Sequence, residues 1–200
     1  DCPGETPGQM RHYRNWRKVD HATIAFGQGI SVSAIQLLSA VSALGNHGVL
    51  MKPRMVEAIT DVNGKMIQSF EPEVRRRAVS ARTAEKVQMM MQAVTEADGT
   101  GVLAAPEGYS VCGKTGTAQI LNKDGTYQNC EYNALFVGFA PADSPELAVL
   151  VVVKAPKVSH YGGMVAAPAF AEIIRESFNY MNIAPASVRP GPAVENKEEA

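Results

Sequence analysis

Gly113-Lys114-Thr115-Gly116-Thr117 is preceded by Tyr109-Ser110-Val111-Cys112 and followed by Ala118-Gln119-Ile120-Leu121. A lysine, two hydroxyls and two glycines lie within five residues, between strand-like flanks. A cation and hydroxyls beside bare backbone suit a surface that receives an anion or a polarised carbonyl. Two readings compete. Gly108 to Thr115 fits the phosphate-loop pattern G-x-x-x-x-G-K-[ST] letter for letter. Such a loop must open a helix, so that amides and the helix dipole cradle phosphate. Here the loop interior is Tyr-Ser-Val-Cys, and Thr115-Gly116-Thr117 stands where the helix should begin, so local preference favours strand. The later apolar strand ends in Lys154 rather than a magnesium-binding aspartate. Residues 109–121 are therefore read as a strand, and nucleotide binding is disfavoured.

Glycine inside a strand marks the close approach of another backbone or a ligand. Alternation sets Lys114, Gly116 and Ala118 on one face and Thr115 and Thr117 on the other. The plainer reading is a solvated edge strand whose lysine guards against aggregation.

Downstream, residues 122–131 read as a polar loop and Ala134 to Ala140 as a second strand. Pro141 to Pro145 make a turn. Leu147 to Val153 is an unbroken apolar run, the pattern of a strand covered on both faces. Short connections imply an antiparallel meander. Gly162 and Gly163 precede a last helix with Pro168 near its first turn. Its stripe is Phe170, Ile173, Ile174, Phe178 and Met181. From Ala184 onward the chain is Pro-rich and then acidic, which predicts a disordered tail over 184–200.

Upstream, residues 1–22 are turn-rich and then basic and aromatic. Gly27-Gln28-Gly29 implies a tight loop. Ser33 and Gln36 form a capping-box pattern ahead of a helix carrying Ile35, Leu38, Val41 and Leu44, stopped by Gly45, Asn46 and Gly48. Residues 52–70 read as a ribbon turning at Asp61-Val62-Asn63-Gly64. Pro72 breaks the pattern, and Arg75-Arg76-Arg77 read as a solvated loop. A second helix starts after Ser80, with Val87, Met90, Met91 and Val94 on one face and Gly99 and Gly101 at its stop. Met89-Met90-Met91 read as adaptable core.

The chain has 200 residues, 46% hydrophobic and 20% charged, with a net charge of −1. A buried core is feasible, and charge offers no case for nucleic acid or anionic lipid. Cys2, Cys112 and Cys130 show no zinc spacing. A hairpin centred near residue 126 would hold Cys112 and Cys130 about 30 Å apart at strand rise, beyond disulfide reach, so free thiols are expected. No run is long and apolar enough to span a bilayer. The first residues read like a loop inside a longer protein.

Several motifs in order carry a family resemblance. Gly113 to Gln119 resembles the Lys-Thr-Gly box of the penicillin-binding transpeptidases. Gly27-Gln28-Gly29-Ile30-Ser31-Val32-Ser33, Asn46-His47-Gly48, Asp98-Gly99-Thr100-Gly101, Phe136 to Pro141, Tyr161-Gly162-Gly163 and Ala166-Ala167-Pro168 resemble its class B members, and the division-septum branch most. The resemblance implies an α+β fold, an antiparallel sheet with helices packed on both faces, here incomplete. Residues 1–183 would be the C-terminal portion of a transpeptidase domain. Lys114 and Thr117 would be catalytic, Lys114 as charge and proton relay, Thr117 through its N–H in the oxyanion hole. Thr115, Gly116 and Thr117 would bind the substrate and its carboxylate. The parent would be a D,D-transpeptidase that cross-links peptidoglycan outside the cytoplasm, held by a membrane anchor. Its partners would be stem peptides, β-lactams and division proteins, with no cofactor or metal.

The chain departs from the family where the nucleophile should be. No serine is followed three residues later by lysine, the pairing that activates the family's serine. Thr83-x-x-Lys86 has the spacing but falls in the second helix. Ser177-Phe178-Asn179, the sole Ser-x-Asn, lies after the box rather than before it. His12, His21, His47 and His160 suit surface or packing roles. The expectation is a catalytically inactive, marginally stable chain whose apolar faces around Leu147–Val153 lack neighbours. The alternative is a non-catalytic binding or scaffold domain on the same fold.

Overall fold

The computed structural model describes residues 4–120, 122, 126–127 and 130–185. Its elements in order are α1 (Lys18–Ile24), α2 (Ala34–Gly45), β1 (Val49–Met51), β2 (Ala58–Thr60), β3 (Met66–Ser69), β4 (Val74–Arg77), α3 (Ala81–Ala93), β5 (Cys112–Gln119), β6 (Tyr132–Ala140), β7 (Leu147–Lys154), α4 (Gly162–Val165) and α5 (Ala167–Met181). The architecture is α+β. The sheet that matters is an antiparallel meander, β5-β6-β7. Thr115 lies opposite Phe136, and Phe136 opposite Val151.

Alternation gives this sheet two faces. On one, Phe136 meets the Phe170 ring edge-on at 4.8 Å, and Ile174 and Phe178 complete a fully buried α5 stripe. Val149, Val151 and Val153 pack against the same cluster. Each such large apolar side chain contributes about 1.5–3 kcal/mol by leaving water. On the other face, Cys112 and Phe139 meet Met91, with Val41 and Leu44 from α2 and Val87 from α3. Ser33 caps α2 by accepting from the Gln36 N–H, and the Gln36 side chain accepts from the Ser33 N–H. Ser80 caps α3.

Several expectations need correction. Residues 74–77 form β4, paired with β1, so the arginines stand on an exposed strand rather than a loop. A partner strand more than twenty residues away outweighs the local charge. Of the methionine run only Met91 is buried; Met89 and Met90 project to solvent because α3 turns Ala84, Val87 and Met91 inward. α3 stops at Ala93, before Gly99 and Gly101. Gly162 and Gly163 do precede the last helix, and they form a short helix of their own, α4, just ahead of it. In α5, Ile173 and Met181 face water.

β7 is an edge strand in this sheet; α5 packs on one face, and on the other Ala148 joins the Met91–Phe139 cluster while the strand's far end is left open. Leu147, Val149, Val151 and Val153 find neighbours against the α5 cluster, contrary to the expectation that they would lack them. Val152, on the other face, is 48% exposed. Cys112 and Cys130 are free and sit toward opposite ends of the hairpin; Cys2 lies outside the described residues. So do residues 186–200, and with them nearly all of the expected tail. Among the described residues no helix is long and apolar enough to cross a membrane.

Candidate active site

The site is built on the outer edge of β5, an edge strand of the three-stranded sheet. The Ile120 N–H donates to the Glu131 carbonyl at 2.8 Å, which fixes the phase of the β5–β6 ladder. In an antiparallel pair, residues alternate between those bonding the partner and those facing away. Counting back in twos, Ala118, Gly116, Lys114 and Cys112 bond β6. Thr117, Thr115 and Gly113 turn their N–H and C=O groups to the free edge. Among the described residues no strand flanks β5 there. Lys-Thr-Gly-Thr therefore lies within a continuous strand, and the next element among the described residues is β6, not the helix that a phosphate loop opens.

The side chains divide as alternation predicts. Thr115 lies on the α4 side, where a Cβ built on Gly163 would come within 3.4 Å of Thr115 Cγ2. Gly116 faces the other way, with Leu135 packed over it; a Cβ there would meet Leu135 Cδ1 at 2.7 Å. Lys114 is exposed and its Nζ donates to the Thr115 carbonyl at 2.9 Å. The structure thus brings Lys114, Thr115, Gly116 and Thr117 to one edge, with the lysine and the hydroxyls on opposite faces of it. A group lying along that edge would meet backbone donors and acceptors, hydroxyls on one flank and a cation on the other.

The Thr100 hydroxyl sits 3.0 Å from the Thr115 hydroxyl, a neighbour that motif spacing does not reveal. Its signal is the surrounding glycine pattern, Gly99, Gly101 and Gly163. His160 stacks on Tyr132 at 4.7 Å and lies 4.3 Å from Tyr161, where β6 begins. Beneath the strand's start, burial pushes the Cys112 thiol up to about 11, and its Sγ donates to the Gln88 carbonyl at 3.3 Å.

Other candidates do not join this edge. Thr83 shares a hydroxyl contact with Ser80 in the first turn of α3. Ser177 and Asn179 flank buried Phe178 on α5. A cavity of about 1000 Å³ lies between Pro106, Tyr109, Arg175 and Pro185 and includes none of the edge residues. No three His, Cys, Asp or Glu side chains among the described residues are grouped to hold a metal.

An antiparallel sheet faced by helices, with Lys-Thr-Gly-Thr on its open edge, is the architecture of a penicillin-binding protein transpeptidase domain. The chain belongs to that family: the model of the penicillin-binding protein transpeptidase domain matches residues 1–175. The chain is 38% identical over 184 residues to the probable peptidoglycan D,D-transpeptidase PenA of Neisseria flavescens, covering 92% of this chain and 43% of that protein. It is 41% identical to stage V sporulation protein D of Bacillus subtilis, covering 92% of this chain and 29% of that protein. The chain thus spans less than half the length of the curated relatives it matches.

Among solved structures, penicillin-binding protein 3 of Mycobacterium tuberculosis complexed with ampicillin superposes with a TM-score of 0.83 at 34% identity, over 95% of this chain and 44% of that one. The transpeptidase domain of Burkholderia pseudomallei penicillin-binding protein 3 gives 0.77 at 34% identity, over 94% of this chain and 54% of that one.

Proposed function

We propose that this chain is the C-terminal portion of a class B penicillin-binding protein, over residues 1–183, and supplies one wall of a D,D-transpeptidase site. The observation that carries the reading is the phase of β5, which turns the backbone of Thr115 and Thr117 to a free edge. A donor peptide can add there as a further strand, with Gly116 leaving room for its backbone. The Thr117 N–H then serves as one oxyanion donor. The Thr115 and Thr117 hydroxyls bind the peptide's terminal carboxylate, or that of a β-lactam. Lys114 places positive charge beside the nucleophile and assists its proton transfer. The parent cross-links peptidoglycan stem peptides through a serine acyl-enzyme outside the cytoplasm, tethered by an anchor. Division proteins are its partners.

Acylation needs nucleophile, base and oxyanion hole together, and this sequence holds no Ser-x-x-Lys. The test compares the 200-residue chain with the full reading frame under a fluorescent penicillin, followed by denaturing electrophoresis. The full-length protein is labelled on a serine outside this chain, and the isolated chain is not. Denaturation-resistant label on the isolated chain, or an unlabelled full-length protein, overturns the reading.

A further inference from the structure

We propose that Thr100 is a positioning residue for Thr115, fixing that hydroxyl as a donor toward the substrate carboxylate. This rests on the transpeptidase reading above and adds a residue to it. A threonine hydroxyl carries a single proton. If Thr115 gives that proton to a carboxylate, its oxygen is left to accept from elsewhere. The Thr100 hydroxyl, 3.0 Å away, is placed to donate. The chain of donation runs from Thr100 to Thr115 to carboxylate, and serial hydrogen bonds polarise one another.

The mount for Thr100 is stiff. The Gly99 N–H donates to Glu96 O and the Gly101 N–H to Val94 O, both at 2.8 Å. Thr95 ties the same loop to the residue just ahead of β5, its hydroxyl donating to Val111 O at 2.8 Å. Three glycines bring the pieces into backbone contact. A Cβ on Gly99 would lie 2.0 Å from Val94 O, one on Gly101 2.7 Å from the Phe136 ring, and one on Gly163 2.1 Å from Thr100 O. Thr100 is thus held between the core, α4 and β5, with its hydroxyl turned to the site.

The experiment measures the second-order acylation rate of the full-length protein with a penicillin bearing its free carboxylate and with the corresponding methyl ester. In Thr100→Val the preference for the carboxylate form falls about tenfold, the range of one hydrogen bond. Thr100→Ser, which restores the hydroxyl, stays within about twofold of the unsubstituted protein. The saturation constant moves more than the limiting rate, and Thr100→Val added to Thr115→Val causes no further loss. An unchanged preference in Thr100→Val, or equal loss in Thr100→Ser, overturns the proposal while leaving the transpeptidase reading intact. Absence of acylation in the unsubstituted protein overturns that reading, and this inference with it.

Discussion

Replacing Gly162 by alanine tests how tightly α4 seats on the catalytic edge. The added Cβ would lie 2.1 Å from Leu135 O and 2.6 Å from Gly116 O. Both oxygens belong to the β5–β6 ladder at the paired residues Gly116 and Leu135. An ordinary carbon–oxygen contact is about 3.3–3.6 Å, so α4 must retreat by roughly an ångström or the ladder must bend. Backbone torsion is not the obstacle, because Gly162 is absent from the positive-φ glycines. Retreat unseats Ala166, Ala167 and Phe170, all fully buried. Overpacking of this kind costs about 1–3 kcal/mol; a loss of about 2 kcal/mol lowers the melting midpoint by roughly 4–8 °C in a domain of this size. The same movement shifts Gly163 and the Thr100–Thr115 pair beside it. A misplacement of about 1 Å at a reacting centre can cost on the order of a hundredfold in rate. Calorimetry and penicillin-acylation kinetics on the full-length protein measure the two effects. A midpoint within about 1 °C of the parent, with an unaltered acylation rate, would refute the reasoning.

Two further outcomes concern the core. Phe136→Ala removes a fully buried ring from between the sheet and α5 and should destabilise by about 3–5 kcal/mol in denaturant titrations; a loss below 1 kcal/mol would mean the site collapses freely. Cys112 gives a pH dependence: its thiol ionises near 9.0 when unfolded and is pushed up to about 11 by burial. Between those values the folded chain keeps a proton that the unfolded chain has lost. Its contribution is fully present below pH 9 and declines by about 1.4 kcal/mol per pH unit toward 11. The difference between parent and Cys112→Ala stability curves isolates this term from lysine and tyrosine titration, and a pH-independent difference would count against it.

Local chemistry made part of this fold legible. The Ser33–Gln36 box wrote the start of α2, and Asp61-Val62-Asn63-Gly64 wrote the β2–β3 turn, with Gly64 at φ 82°. The division of Lys114 from Thr115 and Thr117 followed from alternation alone. What escaped depended on distant partners. Val74-Arg-Arg-Arg becomes a strand because β1 pairs with it, and nothing inside the four residues says so. The apolar run of β7 could not reveal that it forms a sheet edge, since that depends on how many strands surround it. The Thr100–Thr115 contact joins residues fifteen apart through a loop pressed on Phe136. Glycines at 99, 101 and 163 record that contact only once the elements they separate are known to touch.

The glycines of β5 also explain why the edge presents the groups it does. Side chains alternate between faces and backbone groups alternate between edges, so one register decides both. A slip by one residue would exchange the faces, turning Lys114 toward α4 and the hydroxyls away from it. A slip by two would keep the faces but put Thr115 where Gly113 now admits the Phe136 ring. A Cβ at Gly113 would come within 2.2 Å of that ring, and one at Gly116 within 2.7 Å of Leu135. Each glycine is therefore a notch for a large residue of β6, one on each face. Together they key the strand in the single register that sends the Thr115 and Thr117 backbone to the open edge, with hydroxyls on one flank and Lys114 on the other.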